Sequence, residues 1–180
     1  MNDTFVKGKV IPEYLLQDII YDFNNIPGIN SWVINNGEEK IDKNIRSSIS
    51  KAVDSKTYPD LNNILTSFCP SLDKKHIPSK LILKEMEYLK YGPTDHFKKH
   101  NDAIPNKNSN RIRRFSTVTL LSKTEDLEGG NLIIFDKYDS KLEANLEVGE
   151  TVLFYSSTFH KVTPIIKGGR EVLVGWIYDL

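Results

Sequence analysis

The chain contains one cysteine, Cys69, so an intramolecular disulfide is excluded. This argues against a secreted domain stabilised by disulfides. No stretch approaches the roughly 18 consecutive apolar residues that a membrane helix needs. The first residues, Met1 to Gly8, also lack the apolar segment of a signal peptide. The sequence therefore predicts a soluble, intracellular protein with no membrane partner.

Net charge is also missing, because 24 Lys and Arg residues balance 24 Asp and Glu residues. A chain of this kind has no overall basic field, which argues against nucleic acid as a partner. One local group is basic, and we expect it to form a solvated rim, although it could instead recruit an acidic peptide or nucleic acid. Its members are Lys98, Lys99, Arg111, Arg113 and Arg114.

Several catalytic signatures are absent as well. The sequence has no phosphate-binding glycine loop and no Ser-His-Asp or Cys-His arrangement, and it contains no internal repeat. Its 180 residues fit a single domain with a substantial core. We therefore predict one domain over residues 1–180, without a nucleophilic side chain as its catalyst.

The first part of the chain, residues 1–80, is predicted to be mostly helical support. Apolar residues at helical spacing predict a helix from Pro12 to Phe23, and Asp42 is a suitable cap for a second helix to about Val53. A third helix is expected to begin at Pro59 and to extend through Phe68. Between the first two helices, Ile29 to Ile34 could form a strand.

Residues 81–180 change to short β-rich runs separated by turn residues, which is typical of an antiparallel sandwich or barrel. We predict an α+β fold with a mainly β core, a jelly roll with the N-terminal helices packed on one side. Two long polar connections, Asn101 to Arg114 and Lys123 to Gly130, are of the kind that closes over a site. The predicted strands are Leu81–Tyr91, Phe115–Ser122, Asn131–Phe135, Glu150–Tyr155, Phe159–Ile166 and Glu171–Tyr178.

Two histidines and an aspartate are the candidate metal ligands. In an extended strand the side chains of His100 and Asp102 point the same way, and His160 on a distant strand could supply the third ligand. Two imidazoles and one carboxylate fill half of the coordination sphere of Fe(II) and leave adjacent positions open. On their own, these three residues fit a second interpretation equally well, in which two core or exposed histidines and an aspartate in a turn bind no metal.

The end of the chain suggests what would bind beside the metal. If residues 167–169 form a three-residue turn, Ile166 faces Arg170 and His160 faces Trp176, and the even-numbered residues share one largely apolar face. A buried guanidinium is costly unless an anion meets it. This pattern suggests 2-oxoglutarate, bound to iron at one end and to Arg170 at the other. A surface ion pair is the alternative for Arg170.

At this point the chain resembles the Fe(II)- and 2-oxoglutarate-dependent dioxygenases, and among them the prolyl 4-hydroxylase-like group. The resemblance extends from about Leu81 to the C-terminus. It rests on Tyr91 and Phe97 before His100-x-Asp102, on Glu128-Gly129-Gly130 leading into a strand, and on His160 followed by Val162-Thr163-Pro164 and Arg170.

The resemblance implies a double-stranded β-helix core, Fe(II) bound by His100, Asp102 and His160, and a salt bridge from Arg170 to 2-oxoglutarate. It also implies contact of the Tyr91 hydroxyl with the cosubstrate. O2 and 2-oxoglutarate would be consumed, succinate and CO2 released and a C–H bond hydroxylated, with a prolyl residue of a peptide or protein as the expected substrate. A need for ascorbate stays open. The expected substrate or cosubstrate pocket is lined by Val162, Val174 and Trp176.

Some features depart from relatives of this kind. Collagen-type prolyl hydroxylases usually carry Lys where Arg170 stands, and Trp176 occupies the position of a second arginine that marks the nucleic-acid demethylating branch. Gly92-Pro93 next to Tyr91 shifts the usual glycine of the following loop. Two alternatives remain: the same chemistry on a free amino acid or small metabolite, and a non-catalytic metal-binding or sensing module of cupin type. The sequence does not indicate the oligomeric state.

Overall fold

The computed structural model describes residues 4–25, 27–31, 33–35, 38–103 and 113–180, which form two α-helices, two short 3₁₀-helices and sixteen strands. None of the described helices has the length and apolar character needed to cross a membrane. The helices are α1 Glu13–Asn25 and α2 Pro59–Phe68, and the 3₁₀-helices are Cys69–Ser71 and Pro78–Lys80. The strands are β1 Phe5–Gly8, β2 Ile29–Asn30, β3 Val33–Asn35, β4 Glu38–Lys40, β5 Arg46–Ser47, β6 Ile49–Asp54, β7 Leu81–Tyr91, β8 His96–His100, β9 Arg113–Lys123, β10 Glu128–Gly129, β11 Leu132–Phe135, β12 Lys141–Glu143, β13 Thr151–Tyr155, β14 His160–Val162, β15 Ile165–Lys167 and β16 Arg170–Asp179.

Two antiparallel sheets form the body of the fold. The larger sheet has the order β1-β13-β9-β16-β7-β6-β2, and the smaller one has the order β12-β11-β14-β8-β5. Their inner faces share one buried cluster, in which Val118, Val172 and Val174 of the larger sheet meet Ile134 and Val162 of the smaller sheet. Two facing antiparallel sheets with this strand order form the predicted double-stranded β-helix.

The helices cover the outer face of the larger sheet, as predicted. Pro59 is the first residue of α2, where its fixed φ and missing N–H are tolerated. A second buried cluster joins Ile19 of α1 and Leu61 of α2 to Leu83, Leu153 and Ile177 of the sheet. The larger sheet is therefore buried on both faces, which makes it a rigid base. The space between the inner faces of the two sheets is called the cavity below.

A β-bulge in β7 decides which of its side chains face the cavity. The register between β7 and β16 shifts so that Glu85 pairs with Trp176 while Leu83 pairs with Ile177, which leaves Lys84 unpaired. The extra residue reverses the alternation of side chains. As a result Tyr88 packs with the helices, whereas Leu89 and Tyr91 pack inside the cavity.

The prediction that residues 1–80 are mostly helical is wrong. The segment expected to be helical from Asp42 to about Val53 instead forms strands β5 and β6, and β6 pairs with β7 from Ile49 to Asp54. Pairing of β6 with β7 along its whole length outweighs local propensity here. The prediction also missed strands β1, β10 and β12, which are only two to four residues long.

The predicted hairpin between residues 160 and 176 is wrong as well. Strand β15 pairs with β10 in a separate two-stranded sheet, whereas β16 pairs with β7 and β9. The chain therefore enters the larger sheet after Lys167. Gly168 has φ +73°, and a Cβ on Gly169 would lie 2.9 Å from the Tyr91 carbonyl oxygen. Thr163 and Pro164 interrupt the predicted strand and change its alternation, so that Ile166 is exposed instead of facing the cavity.

Three predicted features fall partly outside the described residues. Ile29 to Ile34 contains β2 and the start of β3, but Trp32 between them is outside the described part of the chain. The polar connection from Asn101 to Arg114 is described at its two ends only, because residues 104–112 are outside as well. Arg111 of the basic group belongs to these residues.

The helix layer gives a first test. Ile19 of α1 has no exposed surface, so Ile19→Ala should lower the free energy of unfolding by about 2–5 kcal/mol. Tyr21 on the same helix is 71% exposed, and Tyr21→Ala should change it by less than about 0.5 kcal/mol. Urea unfolding followed by circular dichroism measures both values. Equal losses in the two variants would contradict the assigned helix face.

Candidate active site

The two histidines face each other across neighbouring strands of the smaller sheet. His160 at the start of β14 is paired with His100 at the end of β8, and their ring centroids are 4.2 Å apart. Each ring uses Nδ1 to donate to a backbone carbonyl two residues earlier, at 2.7 Å for Lys98 and 3.0 Å for Thr158. Because Nδ1 carries the proton, the lone pair of each Nε2 atom is free to bind a metal ion.

Asp102 reaches the histidines from outside the strand. Strand β8 ends at His100, so Asp102 lies in the loop that follows it. The prediction that both residues lie on one extended strand is therefore wrong. Its backbone N–H donates to the carbonyl of Ser156 at 2.8 Å, which attaches this loop to the end of β13. The hydroxyl of Ser116 donates to Asp102 Oδ2 at 2.7 Å.

The three predicted ligands meet in one place. Asp102 Oδ1 lies 3.6 Å from His100 Nε2, and Asp102 Oδ2 lies 3.6 Å from His160 Nε2. The potential ligand atoms all lie within 4.8 Å of one another, and no other such group was found among the described residues. Two imidazoles and one carboxylate on one side of an ion match the facial donor set of non-haem Fe(II).

Burial adjusts the protonation of these groups for metal binding. Burial and the neighbouring His160 lower the pKa of His100 to about 3, so its imidazole is neutral at physiological pH. Burial alone would raise the pKa of Asp102, but His160 and His100 outweigh it and the pKa is lowered. His100 and Asp102 therefore offer a neutral imidazole and a carboxylate without the loss of a proton.

A stack of side chains supports His100 from behind. The ring of Phe97 stacks on the imidazole with centroids 3.5 Å apart, and the Arg46 guanidinium lies 4.9 Å from the Phe97 centroid on the ring face. Arg46 is held by a buried ion pair with Glu87 at 2.8 Å. Sequence reasoning missed Arg46 and Glu87, because their pairing depends on the bulge in β7 and on the strand β5 that was predicted as helix.

Arg170 and Tyr91 lie side by side at another part of the cavity. They are paired across β16 and β7, and the guanidinium carbon is 5.4 Å from the Tyr91 ring centroid. Arg170 is only 7% exposed, its Nε has no hydrogen-bond partner, and burial lowers its pKa. Among the described residues no carboxylate forms an ion pair with it, so the alternative of a surface ion pair is wrong.

Val162, Val174 and Trp176 were predicted to line the pocket, and all three pack in the inner cluster. Arg170, Val172, Val174 and Trp176 do share one face of β16, although its partner strands differ from those predicted. The indole Nε1 of Trp176 is buried, and the indole lies close enough to Asp102 to help lower the pKa of its carboxyl.

Arg113 is an exception to the predicted solvated rim. Its guanidinium lies 4.0 Å from the Trp176 ring centroid, and its Nε donates to Glu85 at 3.0 Å. The Tyr178 hydroxyl donates to the same carboxylate at 2.8 Å. Lys98, Lys99 and Arg114 are exposed, as expected for a rim. Arg113 therefore belongs to the wall beside Trp176 and not to the solvated surface.

The lowered pKa of His100 gives a pH test on the metal-free protein. As the pH is lowered from 7 to 5, the unfolded chain takes up a proton at His100 while the folded chain does not. The free energy of unfolding should therefore decrease as the pH is lowered. The contribution to the slope is at most about 1.4 kcal/mol per pH unit. Urea unfolding at several pH values should show a smaller slope for His100→Asn. An unchanged slope would contradict the neutral His100 imidazole in the folded protein.

Comparison with known proteins agrees with this geometry. A family profile described as the 2OG-Fe(II) oxygenase superfamily matches residues 86–178, which include all three candidate ligands and Arg170. A PKHD-type hydroxylase of Crocosphaera subtropica is 33% identical over 111 residues, covering 61% of this chain and 47% of that protein. The matched region therefore spans about half of that relative.

Solved structures extend the likeness over nearly the whole chain. A prolyl-4-hydroxylase of Pseudomonas putida matches with a TM-score of 0.72 and 16% identity, covering 98% of this chain and 93% of the other. A prolyl hydroxylase of Trichoplax adhaerens, in complex with a hypoxia inducible factor peptide fragment, matches with a TM-score of 0.69 and 16% identity over 98% and 84%. At these identities the likeness concerns the fold.

Proposed function

The chain belongs to the 2OG-Fe(II) oxygenase superfamily, and within it we propose that it hydroxylates a prolyl residue of a peptide or protein, with succinate and CO2 as coproducts. The observation that carries the oxygenase assignment is the buried Arg170 guanidinium, which has no carboxylate partner among the described residues and lies on the same inner side of the fold as the His-Asp-His group. Arg170 lies next to Tyr91 and His160 next to Phe154, and both aromatic rings belong to one buried cluster. A metal-binding module without catalysis would not need this second, cationic site.

In this proposal His100, Asp102 and His160 hold Fe(II), and Arg170 pairs with the carboxylate of 2-oxoglutarate that is remote from the metal. The Tyr91 hydroxyl contacts the same carboxylate. Burial raises the pKa of Tyr91, so this hydroxyl stays protonated and can donate a hydrogen bond. Bound Fe(II) supplies the position at which O2 is activated by the oxidation of 2-oxoglutarate. The apolar valines keep water away from the reacting groups.

The prolyl substrate is supported by the names of the relatives and by the wall near Asp102. Trp176 offers an aromatic face to a ring such as that of proline, and Arg113 and Glu85 fix the indole from the other side. The second candidate is a free amino acid or small metabolite, which this wall does not exclude. Ascorbate would serve as an auxiliary reductant if turnover without substrate oxidises the iron.

Arg170→Met tests the cosubstrate site. Because the guanidinium is buried without an anion, its removal should leave the free energy of unfolding of the metal-free protein unchanged or higher. The wild type with Mn(II) should be stabilised by about 2.7 kcal/mol at a 2-oxoglutarate concentration of 100 times its Kd. The variant should lose most of this stabilisation. Chemical unfolding with and without 2-oxoglutarate measures both effects, and equal stabilisation of both proteins would refute the role of Arg170.

Substrate class is tested by oxygen-dependent release of succinate. An array of proline-containing peptides should stimulate release, and the same peptides with alanine in place of proline should not. Free proline and other amino acids serve as the small-molecule arm. His160→Ala should abolish release in every arm because one metal ligand is lost. Stimulation by small molecules alone would overturn the prolyl proposal and leave the oxygenase assignment in place.

A further inference from the structure

The position of Asp102 depends on contacts outside its own strand. Its loop follows the last residue of β8, so no strand pairing fixes the direction of the carboxylate. Instead, two serines of the larger sheet hold the carboxylate by hydrogen bonds. Ser116 lies in β9, Ser156 directly follows β13, and neither residue has measurable exposed surface.

The hydrogen bonds of these serines have a fixed direction. Ser116 Oγ lies 2.7 Å from Asp102 Oδ2 and 2.9 Å from Ser156 Oγ. A hydroxyl has one proton to donate, and an ionised carboxylate can only accept. Ser116 therefore donates to Asp102, and Ser156 donates to Ser116.

The backbone strengthens the arrangement. Ser156 accepts the Asp102 backbone N–H at 2.8 Å and donates its own N–H to the carbonyl of Arg114 at 3.0 Å. The carboxylate is therefore attached to both β9 and β13 through groups that are fully shielded from water. In a buried site, hydrogen bonds of this kind are strong and their loss is costly.

We infer that Ser116 is a positioning residue that reserves Asp102 Oδ2 and leaves Oδ1 for the metal, with Ser156 holding the Ser116 hydroxyl in its donating direction. This inference rests on the proposed function. With one oxygen committed to Ser116, the carboxylate binds the ion through a single oxygen. The position that a second carboxylate oxygen would occupy stays open for 2-oxoglutarate or O2. Without the hydroxyl, the direction of the carboxylate is no longer fixed, so Oδ1 binds the ion less well and Oδ2 can turn into the open position.

The test measures binding of Mn(II) alone, by calorimetry under anaerobic conditions. Ser116→Ala should weaken the Mn(II) affinity about 10–100-fold, the usual effect of losing a group that orients a metal ligand. Ser156→Ala should cause a smaller loss in the same direction. Ser116→Thr keeps the hydroxyl and should restore most of the Mn(II) affinity that Ser116→Ala loses.

Ser122→Ala is the matched control. Ser122 lies on the same strand and donates to a carboxylate, that of Glu171, at 2.9 Å, but neither residue belongs to the proposed metal site. Its Mn(II) affinity should equal that of the wild type. Unfolding curves of each variant identify any variant that fails to fold, in which case Ser156→Ala decides the outcome.

A second readout concerns the open position. In Fe(II)-loaded protein without oxygen, bound 2-oxoglutarate gives a weak visible absorption band, and Ser116→Ala should need about tenfold more 2-oxoglutarate for half of this band. Mn(II) and 2-oxoglutarate affinities equal to those of the wild type would overturn the role of Ser116. Equal Mn(II) affinity of the wild type and Asp102→Ala would instead contradict the proposed function itself.

Discussion

The pairing of His160 with His100 across β14 and β8 is the constraint on which the site depends. It brings residues that are 60 positions apart in the chain to a ring separation of 4.2 Å. The register of a strand pair fixes which face each side chain takes, and a slip by one residue would turn one imidazole out of the cavity. The carbonyl acceptors of both Nδ1 atoms lie on the same strand or turn as the rings, so the pairing also fixes the ring orientation.

The larger sheet supplies what the smaller sheet cannot. Its outer face is covered by α1 and α2, and its inner face carries Arg170, Tyr91 and the serines that hold Asp102. The bulge at Lys84 allows one strand to serve both faces, with Tyr88 against the helices and Tyr91 in the cavity. Helix packing and site geometry are therefore coupled, because a shift of this sheet would move the Arg170 side of the cavity relative to the histidines.

The sequence predicted the parts of the fold that depend on local patterns. Strand β7 was predicted with its observed bounds, the alternation of Arg170, Val172, Val174 and Trp176 holds, and the three candidate ligands lie together. A pattern of apolar and polar residues does not identify the strand with which a given strand pairs. A hairpin was therefore predicted after His160, whereas β16 pairs with β7 and β9 of the larger sheet. The Ser116 hydroxyl and the Arg46–Glu87 pair were missed for a related reason: both form between segments that only the tertiary fold brings together.

The charges of the cavity link the two proposed ligands. Arg46 is balanced by Glu87 and Arg113 by Glu85, which leaves the anion of Asp102 and the cation of Arg170 in separate parts of the same buried space. A divalent ion alone would add two positive charges to a cavity that already holds an unpaired guanidinium. Under the proposed function, a divalent anion such as 2-oxoglutarate would cancel this addition by binding both the ion and Arg170. Because charges in such a site are poorly screened, each ligand should strengthen the binding of the other, and linkage requires the effect to be reciprocal.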